Sequence, residues 1–327
     1  MALLVDEPLW RAHGTTWSHL VSDHSLAELH AFAREQGLPR RSFDLDHYDV
    51  PAGAVARLVA AGAEAVDRRT LLSRLRASGL RVPGGERERT RAERRESDLA
   101  AQWAALGEAL GVGVGPGEGA GAGTGVGTGT ASSAWSDLGS DLLAHWVEPH
   151  RTYHDLRHLE AILLDLDLLR LDGADVTPEI LLAAWFHDAV HDGSTPQDEE
   201  ASATLALRSL GGPELSAALP EGLGAEVARL VRVTADHRAQ DPAAAILCDA
   251  DLAILGAPES RYRVYAEDVR REYSHVTDED FARGRAAVLT SILSAERIFA
   301  TDAGHARWER RARSNIAAEL DRLARGA

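Results

Sequence analysis

Lysine is missing altogether: all 35 basic positions of this 327-residue chain are arginine. That absence removes lysine Schiff-base chemistry, a phosphate-loop lysine and a kinase lysine together. Cysteine is nearly as scarce. Cys248 stands alone, which excludes an internal disulfide framework and any zinc site built mainly of thiolates. A metal would have to be held by histidine and carboxylate. No apolar run approaches the roughly 20 residues of a membrane helix, so no membrane association is expected. The opening MALLVDEPLW has no basic region and reaches Asp6 and Glu7 almost at once, unlike a signal peptide, and a cytoplasmic location is expected. There is no G-x-S-x-G elbow, which argues against a serine hydrolase of the usual α/β type. Positive charge is in deficit, with a net charge of −16. Broad electrostatic binding to nucleic acid is disfavoured, whereas a small phosphorylated molecule held by a metal and local arginines is not. A homo-oligomer is compatible with all of this.

What is present suggests two domains, since the chain is long for one compact unit and 45% of it is hydrophobic. The first 82 residues alternate short apolar runs with helical patterns. Ala2 to Val5 and Ala63 to Val66 read as strands. Ser25 with Glu28 forms a capping box for a helix that Gly37 and Pro39 stop, Pro51 starts another, and Asp67 caps a third that ends at Gly79. Residues 83–97 are dense in mixed charge and lead into a helix through Leu99, Trp103, Leu106 and Leu110. From 111 to 130 every second residue is glycine. A nucleotide-cradling loop needs a preceding strand and a following helix with lysine, so a flexible linker is the better reading. After Trp135 the pattern is helical, punctuated by Thr177-Pro178, Gly211-Gly212-Pro213 and Gly256-Ala257-Pro258. The expected fold is therefore mixed: a small α/β domain over 1–82, a charged helical connector over 83–110, a glycine-rich flexible segment over 111–134, and an all-α domain over 135–327.

Nine of the 14 histidines follow residue 144. His158 shares a helical stripe with Ile162, Leu166 and Leu169; His187 lies on the stripe of Ile180 and Ala184, with Asp188 beside it; His237 lies on that of Val227, Leu230 and Thr234. In ILCDADLAILG, Asp249 and Asp251 fall within a strongly apolar helix. Buried carboxylates are costly without a neutralising partner. A divalent ion held by His158, His187, Asp188 and one late aspartate accounts for them together, and the mixed nitrogen and oxygen donors suit Mn²⁺, Fe²⁺, Co²⁺ or Zn²⁺ better than calcium. Asp249 and Asp251 lie about 200° apart on an ideal helix, so both cannot face one ion. HDLRH and HDAVH also resemble the H-E-x-x-H of metalloproteases, but aspartate shortens the general base by one methylene and misplaces it.

His158 with Leu159 and Ile162, FHD at 186–188 and DADLAILGA at 249–257 resemble the H…HD…D signature of HD-superfamily phosphohydrolases, and most closely a branch of predicted bacterial HD phosphohydrolases. The likeness covers about 136–320. One departure is Asp198-Glu199, followed by Ser202-Ala203, where that branch reads N-E-x-x-S-A. The resemblance implies an HD-type helical fold, hydrolysis of a phosphate ester or anhydride, often of a nucleotide, and a divalent cofactor, with Mg²⁺ also admitted. It prefers Asp251 to Asp249, giving His158, His187, Asp188 and Asp251 as ligands. Asp188, Glu199, His191 and His237 become the catalytic candidates, with His154, Arg151 and Tyr273 as substrate contacts. The alternative is a nucleotide sensor whose degenerate HD domain only binds.

VDEPLWRAHG, HLVSDHSLAELHAFA and HYDVP resemble a small domain family of unknown function found in bacterial and phage proteins. His13, His19, Asp23, His30, His47 and Asp49 are candidates for a second site of unassigned chemistry there, or the domain is an interaction module. Capping and surface roles explain most of them equally well, Asp23 before Ser25 among them.

Overall fold

The computed structural model describes residues 2–12, 15–39, 42–112 and 126–326. Two compact units divide between Gln102 and Trp103.

In the first unit, β1 (Leu3–Val5), β2 (Trp10–Ala12), β3 (Thr15–Ser22), β4 (Tyr48–Pro51) and β5 (Glu64–Ala65) form one sheet. Strand β3 is its spine, antiparallel to β1, β2 and β4, and β5 runs parallel to β1. Trp17 pairs with both Trp10 and Pro51, and Leu20 with both Val5 and Tyr48. Hence β1 and β2 share one edge of β3, and β4 takes the other. Alternation along the strands sends Val5 and Leu20 to one face, where Leu29 and Phe32 of α1 (Leu26–Glu35) and Leu58 of α2 (Ala52–Ala60) cover them. Leu4 and Val21 go to the opposite face, against Leu71 and Leu75 of α3 (Arg68–Ala77). The helix starts follow their side chains: Ser25 accepts from the Glu28 amide and Asp67 from the amides of Arg69 and Thr70. The capping box is only half formed, because the Glu28 carboxylate accepts instead from the Ser22 hydroxyl at 2.5 Å.

Helix α4 (Arg87–Ala109) carries the chain into the second unit. There follow α5 (Val126–Trp146), α6 (Leu156–Leu171), α7 (Pro178–Phe186), α8 (Gln197–Leu210), α9 (Pro213–Ser216), α10 (Leu223–Val233), α11 (Pro242–Asp251), α12 (Glu259–Glu272), α13 (Asp278–Ser294) and α14 (Asp302–Gly326). The region is helical throughout, with no strand among the described residues. One expectation is corrected here. The stretch read as loose through residue 134 is helical from Val126, because Ala131 and Trp135 are buried and packing overrides the poor helix propensity of glycine. Residues 113–125, which hold most of the glycine repeat, lie outside the described residues.

The same motif on α4 and α5 fastens the two helices. Trp103 and Trp135 stack with ring centroids 4.2 Å apart, and each indole N–H donates to the other's backbone carbonyl, at 2.8 and 3.0 Å. One turn on from each tryptophan, Gly107 and Gly139 leave room for the opposite ring. At the centre, every residue of α7 from Ile180 to Phe186 is buried, and α6, α8, α10 and α11 pack around it. A helix apolar on all sides belongs in a core. It ends at His187, so the fold delivers an imidazole and the next carboxylate into the interior.

Candidate metal centre

Three segments converge on the end of α7. His158 comes from the first turn of α6, whose start is fixed by the Asp155 side chain accepting from the Arg157 amide. His187 caps α7, and its Nδ1 lies 2.9 Å from the Ala184 carbonyl oxygen, which assigns the proton to Nδ1 and leaves Nε2 free. Asp251 ends α11.

The two Nε2 atoms stand 3.2 Å apart. Asp188 Oδ2 is 3.0 Å from that of His187 and 3.5 Å from that of His158; Asp251 Oδ1 is 3.3 Å from His158 Nε2 and 3.8 Å from His187 Nε2. Two donors each about 2.1 Å from a common ion, at octahedral or tetrahedral angles, are about 3.0–3.4 Å from each other. The spacing of His158, His187 and Asp188 therefore fits one divalent ion, and Asp251 borders that group at 3.3 Å from His158 Nε2. Tyr153 and Trp146 wall the site, with ring centroids 4.8 and 6.2 Å from His158. Burial pulls the His158 imidazole down, but Asp188 and Asp251 outweigh it and hold its pKa at about 9. Burial opposes ionisation of both carboxylates too, yet the surrounding histidines keep them well below the usual range. This is an anionic pocket that binds protons, and by the same field a cation.

Asp249 goes elsewhere. It accepts from the Ala300 and Thr301 amides and the Thr301 hydroxyl at 2.7, 2.9 and 2.6 Å, at the approach to α14. His237 adopts a left-handed backbone (φ 54°), and its Nε2 reaches the second oxygen of Asp251 at 2.8 Å. His154 and His191 meet one another, with ring centroids 4.1 Å apart, over a carboxylate that sequence reasoning missed. Glu272 Oε1 is 2.5 Å from His154 Nδ1 and 3.1 Å from His191 Nε2. Its Oε2 accepts from the amides of Thr152, Tyr153 and His154. Burial holds the His154 imidazole below its ordinary value, while hydrogen bonding to Glu272 raises that of His191 against burial. The signal for Glu272 in the sequence was its place on the helical stripe of Tyr262, Tyr265 and Val269, a carboxylate on an inward face.

Arg151 is corrected. Its guanidinium is fully buried and its five N–H groups all have acceptors: Glu148 twice, and the carbonyls of His154, Asp188 and Ala189. With no donor left for a phosphate, it braces the turn that carries Asp188. Glu199 accepts from the Thr195 hydroxyl at 2.9 Å, its other oxygen is buried without a partner, and no hydrogen bond or ion pair among the described residues joins it to the metal ligand set. Asp198 accepts from the amides of Asp192 and Ser194, and the Ser202 hydroxyl clamps the backbone of Val190. Tyr273 lies against Gly193, a turn glycine with φ 77° where any Cβ would meet its ring at 3.1 Å, and burial pushes its phenol up to about 12.

In the sheet unit, His19, His47 and Asp49 each have a donor atom within 4.8 Å of the others. Asp23 instead ties the Ala2 amide to Arg74, and His30 contacts the Tyr48 hydroxyl at 3.0 Å. His13 lies outside the described residues. No helix among the described residues is long and apolar enough to cross a membrane.

Residues 3–78 match the model of a family described as a protein of unknown function (DUF4031). No curated protein matches the chain and no solved structure does, and no family match supports the HD resemblance of the helical region. The chain is thus an N-terminal DUF4031 domain followed by a large helical region with buried histidine and aspartate clusters able to hold metal.

Proposed function

We propose that the helical unit is a divalent-metal-dependent phosphohydrolase of the HD type, acting on a small phosphorylated molecule, with nucleotides as the first class to test. The observation that carries this reading is the meeting of His158, His187 and Asp188 at donor spacings of one coordination sphere, with Asp251, up to 93 positions away in the chain, brought beside them. A cation bound there supplies a Lewis acid for a phosphoryl oxygen and a means of acidifying water. The chain's own residues do the rest. The Ala184 carbonyl fixes the His187 ring, and His237 holds the outer oxygen of Asp251, so that both ligands are oriented before substrate arrives. His154 and His191 share Glu272 beside this centre and are the groups positioned to move a proton or to grip a phosphate.

The test measures phosphate release with Mn²⁺, Mg²⁺, Co²⁺ and Zn²⁺ over nucleotides and phosphomonoesters, for wild type and Asp188→Asn. The substitution keeps the size of the side chain and removes one negative charge. Metal content and turnover should both fall, turnover by about a hundredfold or more. Metal-loaded wild type that binds nucleotide tightly yet releases phosphate from no substrate would favour a sensor instead.

A further inference from the structure

We propose that the DUF4031 sheet unit holds a second metal centre, in which His19, His47 and Asp49 bind a borderline divalent ion such as Zn²⁺, Co²⁺ or Fe²⁺ and leave positions open for an outside ligand. The strands assemble the three side chains. His19 on β3 and Asp49 on β4 are direct register partners, and cross-strand partners project from the same face. His47, two residues before Asp49, shares that face by the period of the strand. It is the face opposite the core side chains Leu20, Tyr48 and Val50.

Each imidazole is also held by a buried carboxylate. His19 Nδ1 lies 2.8 Å from Asp6 Oδ2, and the other Asp6 oxygen takes the His19 amide at 2.6 Å. His47 Nδ1 lies 2.6 Å from Asp46 Oδ1, while Asp46 Oδ2 is fixed by the Val82 amide and Arg81 at 2.7 and 2.8 Å. Both carboxylates are wholly buried. With Nδ1 occupied in both rings, Nε2 is the free nitrogen of each. A carboxylate on one imidazole nitrogen and a metal on the other is the usual arrangement at histidine metal sites. Asp49 completes the set. Its Oδ1 is buried with no hydrogen-bond partner among the described residues and stands 3.3 Å from His47 Nε2, the distance between neighbouring donors on one ion. The metal-free alternative is a cationic His47 bridging Asp46 through Nδ1 and Asp49 through Nε2, and the Co²⁺ titration described next separates it from a bound ion.

Two nitrogens and one carboxylate suit borderline transition ions better than magnesium or calcium. A structural zinc site is closed by four protein ligands, whereas among the described residues there are three, and the His19 and Asp49 side chains are 23% and 39% exposed. Solvent or an anionic oxygen ligand can complete the sphere.

The experiment uses the full chain with the helical cluster disabled by His187→Gln and Asp188→Asn, so that its result does not depend on the function proposed above. Metal is stripped with chelator, and Co²⁺ is titrated while its visible absorption is recorded. The Co²⁺ equivalent held by the sheet unit is the one that changes at His19, His47 and Asp49 remove, as distinct from any held by His154, His191 and Glu272. Adding His19→Gln or His47→Gln should weaken it about a hundredfold or more, and Asp49→Asn about tenfold. Metal-free melting curves check that the variants fold. Asp49→Asn, on a partly exposed side chain, remains informative if a histidine variant does not fold. No Co²⁺ bound by the disabled chain, or binding untouched by Asp49→Asn and both histidine changes, would overturn the proposal.

Discussion

Replacing Gly139 by alanine should destabilise the helical unit, although alanine is the better helix former. In an open helical position the exchange gains up to about 1 kcal/mol. At Gly139 the new Cβ would lie 2.3 Å from Trp103 Cδ1 and 2.5 Å from its Nε1. Carbon contacts settle near 3.5–4.0 Å, so the indole must retreat by roughly 1 Å or more. It has nowhere to go: the ring is stacked on Trp135 at an interplanar angle of 11°, and its N–H is committed to the Trp135 carbonyl. Overpacking costs about 1–3 kcal/mol, and a buried N–H deprived of its acceptor about as much again. After subtracting the helix gain, the net loss is about 1–5 kcal/mol. Gly284 on α13 is the control, because a Cβ there would meet nothing within 4 Å. Urea unfolding followed by far-UV circular dichroism reads the stability, and the near-UV signal of the stacked indoles reads the geometry. The reasoning is refuted if Gly139→Ala is as stable as wild type while Gly284→Ala shows its expected gain.

Three further expectations follow from individual side chains. Asp249→Ala should cost about 1–3 kcal/mol through the amides of Ala300 and Thr301, with metal content unchanged, whereas Asp251→Ala should lose the metal of the helical unit; elemental analysis beside thermal melting separates the two. Burial raises the Asp165 carboxyl to about 7 against the charges of His158 and Arg307. A raised acid leaves stability intact below pH about 4, erodes it as pH climbs toward 7, and withholds it above, so Asp165→Asn should gain on the order of 2 kcal/mol at pH 8 and little at pH 4; an equal gain at both would contradict this. Cys248 is 2% exposed and burial pushes its thiol up, so a thiol reagent should leave the native chain unlabelled and titrate one group after unfolding.

Much of the site could be read from periodicity. His158, Ile162, Leu166 and Leu169 are all buried on one face of α6, as their spacing predicts. Asp249 and Asp251, about 200° apart on an unbroken helix, turn to different partners. What could not be read were contacts whose other half is backbone or far away in the chain. Nothing in the letters tells that Arg151 meets three carbonyls, or that Asp198 caps the turn before α8, because those acceptors and donors exist only once the loop is folded. Glu272 continues the buried stripe of Tyr262, Tyr265 and Val269 on α12, but 118 positions separate it from His154 and only the fold brings the two together. In the sheet unit Asp6 lies 13 positions from His19, and Asp46, although next to His47, is buried and fixed by the Val82 amide 36 positions on. Capping chemistry, being local, was easier: Ser25 and Asp67 start the helices assigned to them.

Glu272 also imposes an order on biosynthesis. The four proposed ligands have all been made by residue 251, but the segment Thr152–His154 is anchored through its backbone only when α12 arrives, by Glu272 and by the Asp268 carbonyl that accepts from Thr152. A growing or C-terminally truncated chain that stops between these positions has its full complement of donors while His154 and His191 still lack their common carboxylate. The alignment of His154 and His191 thus waits on α12, and the end of α11 waits in turn on Ala300 and Thr301, so the neighbourhood of this cluster is completed by the last part of the chain to be made.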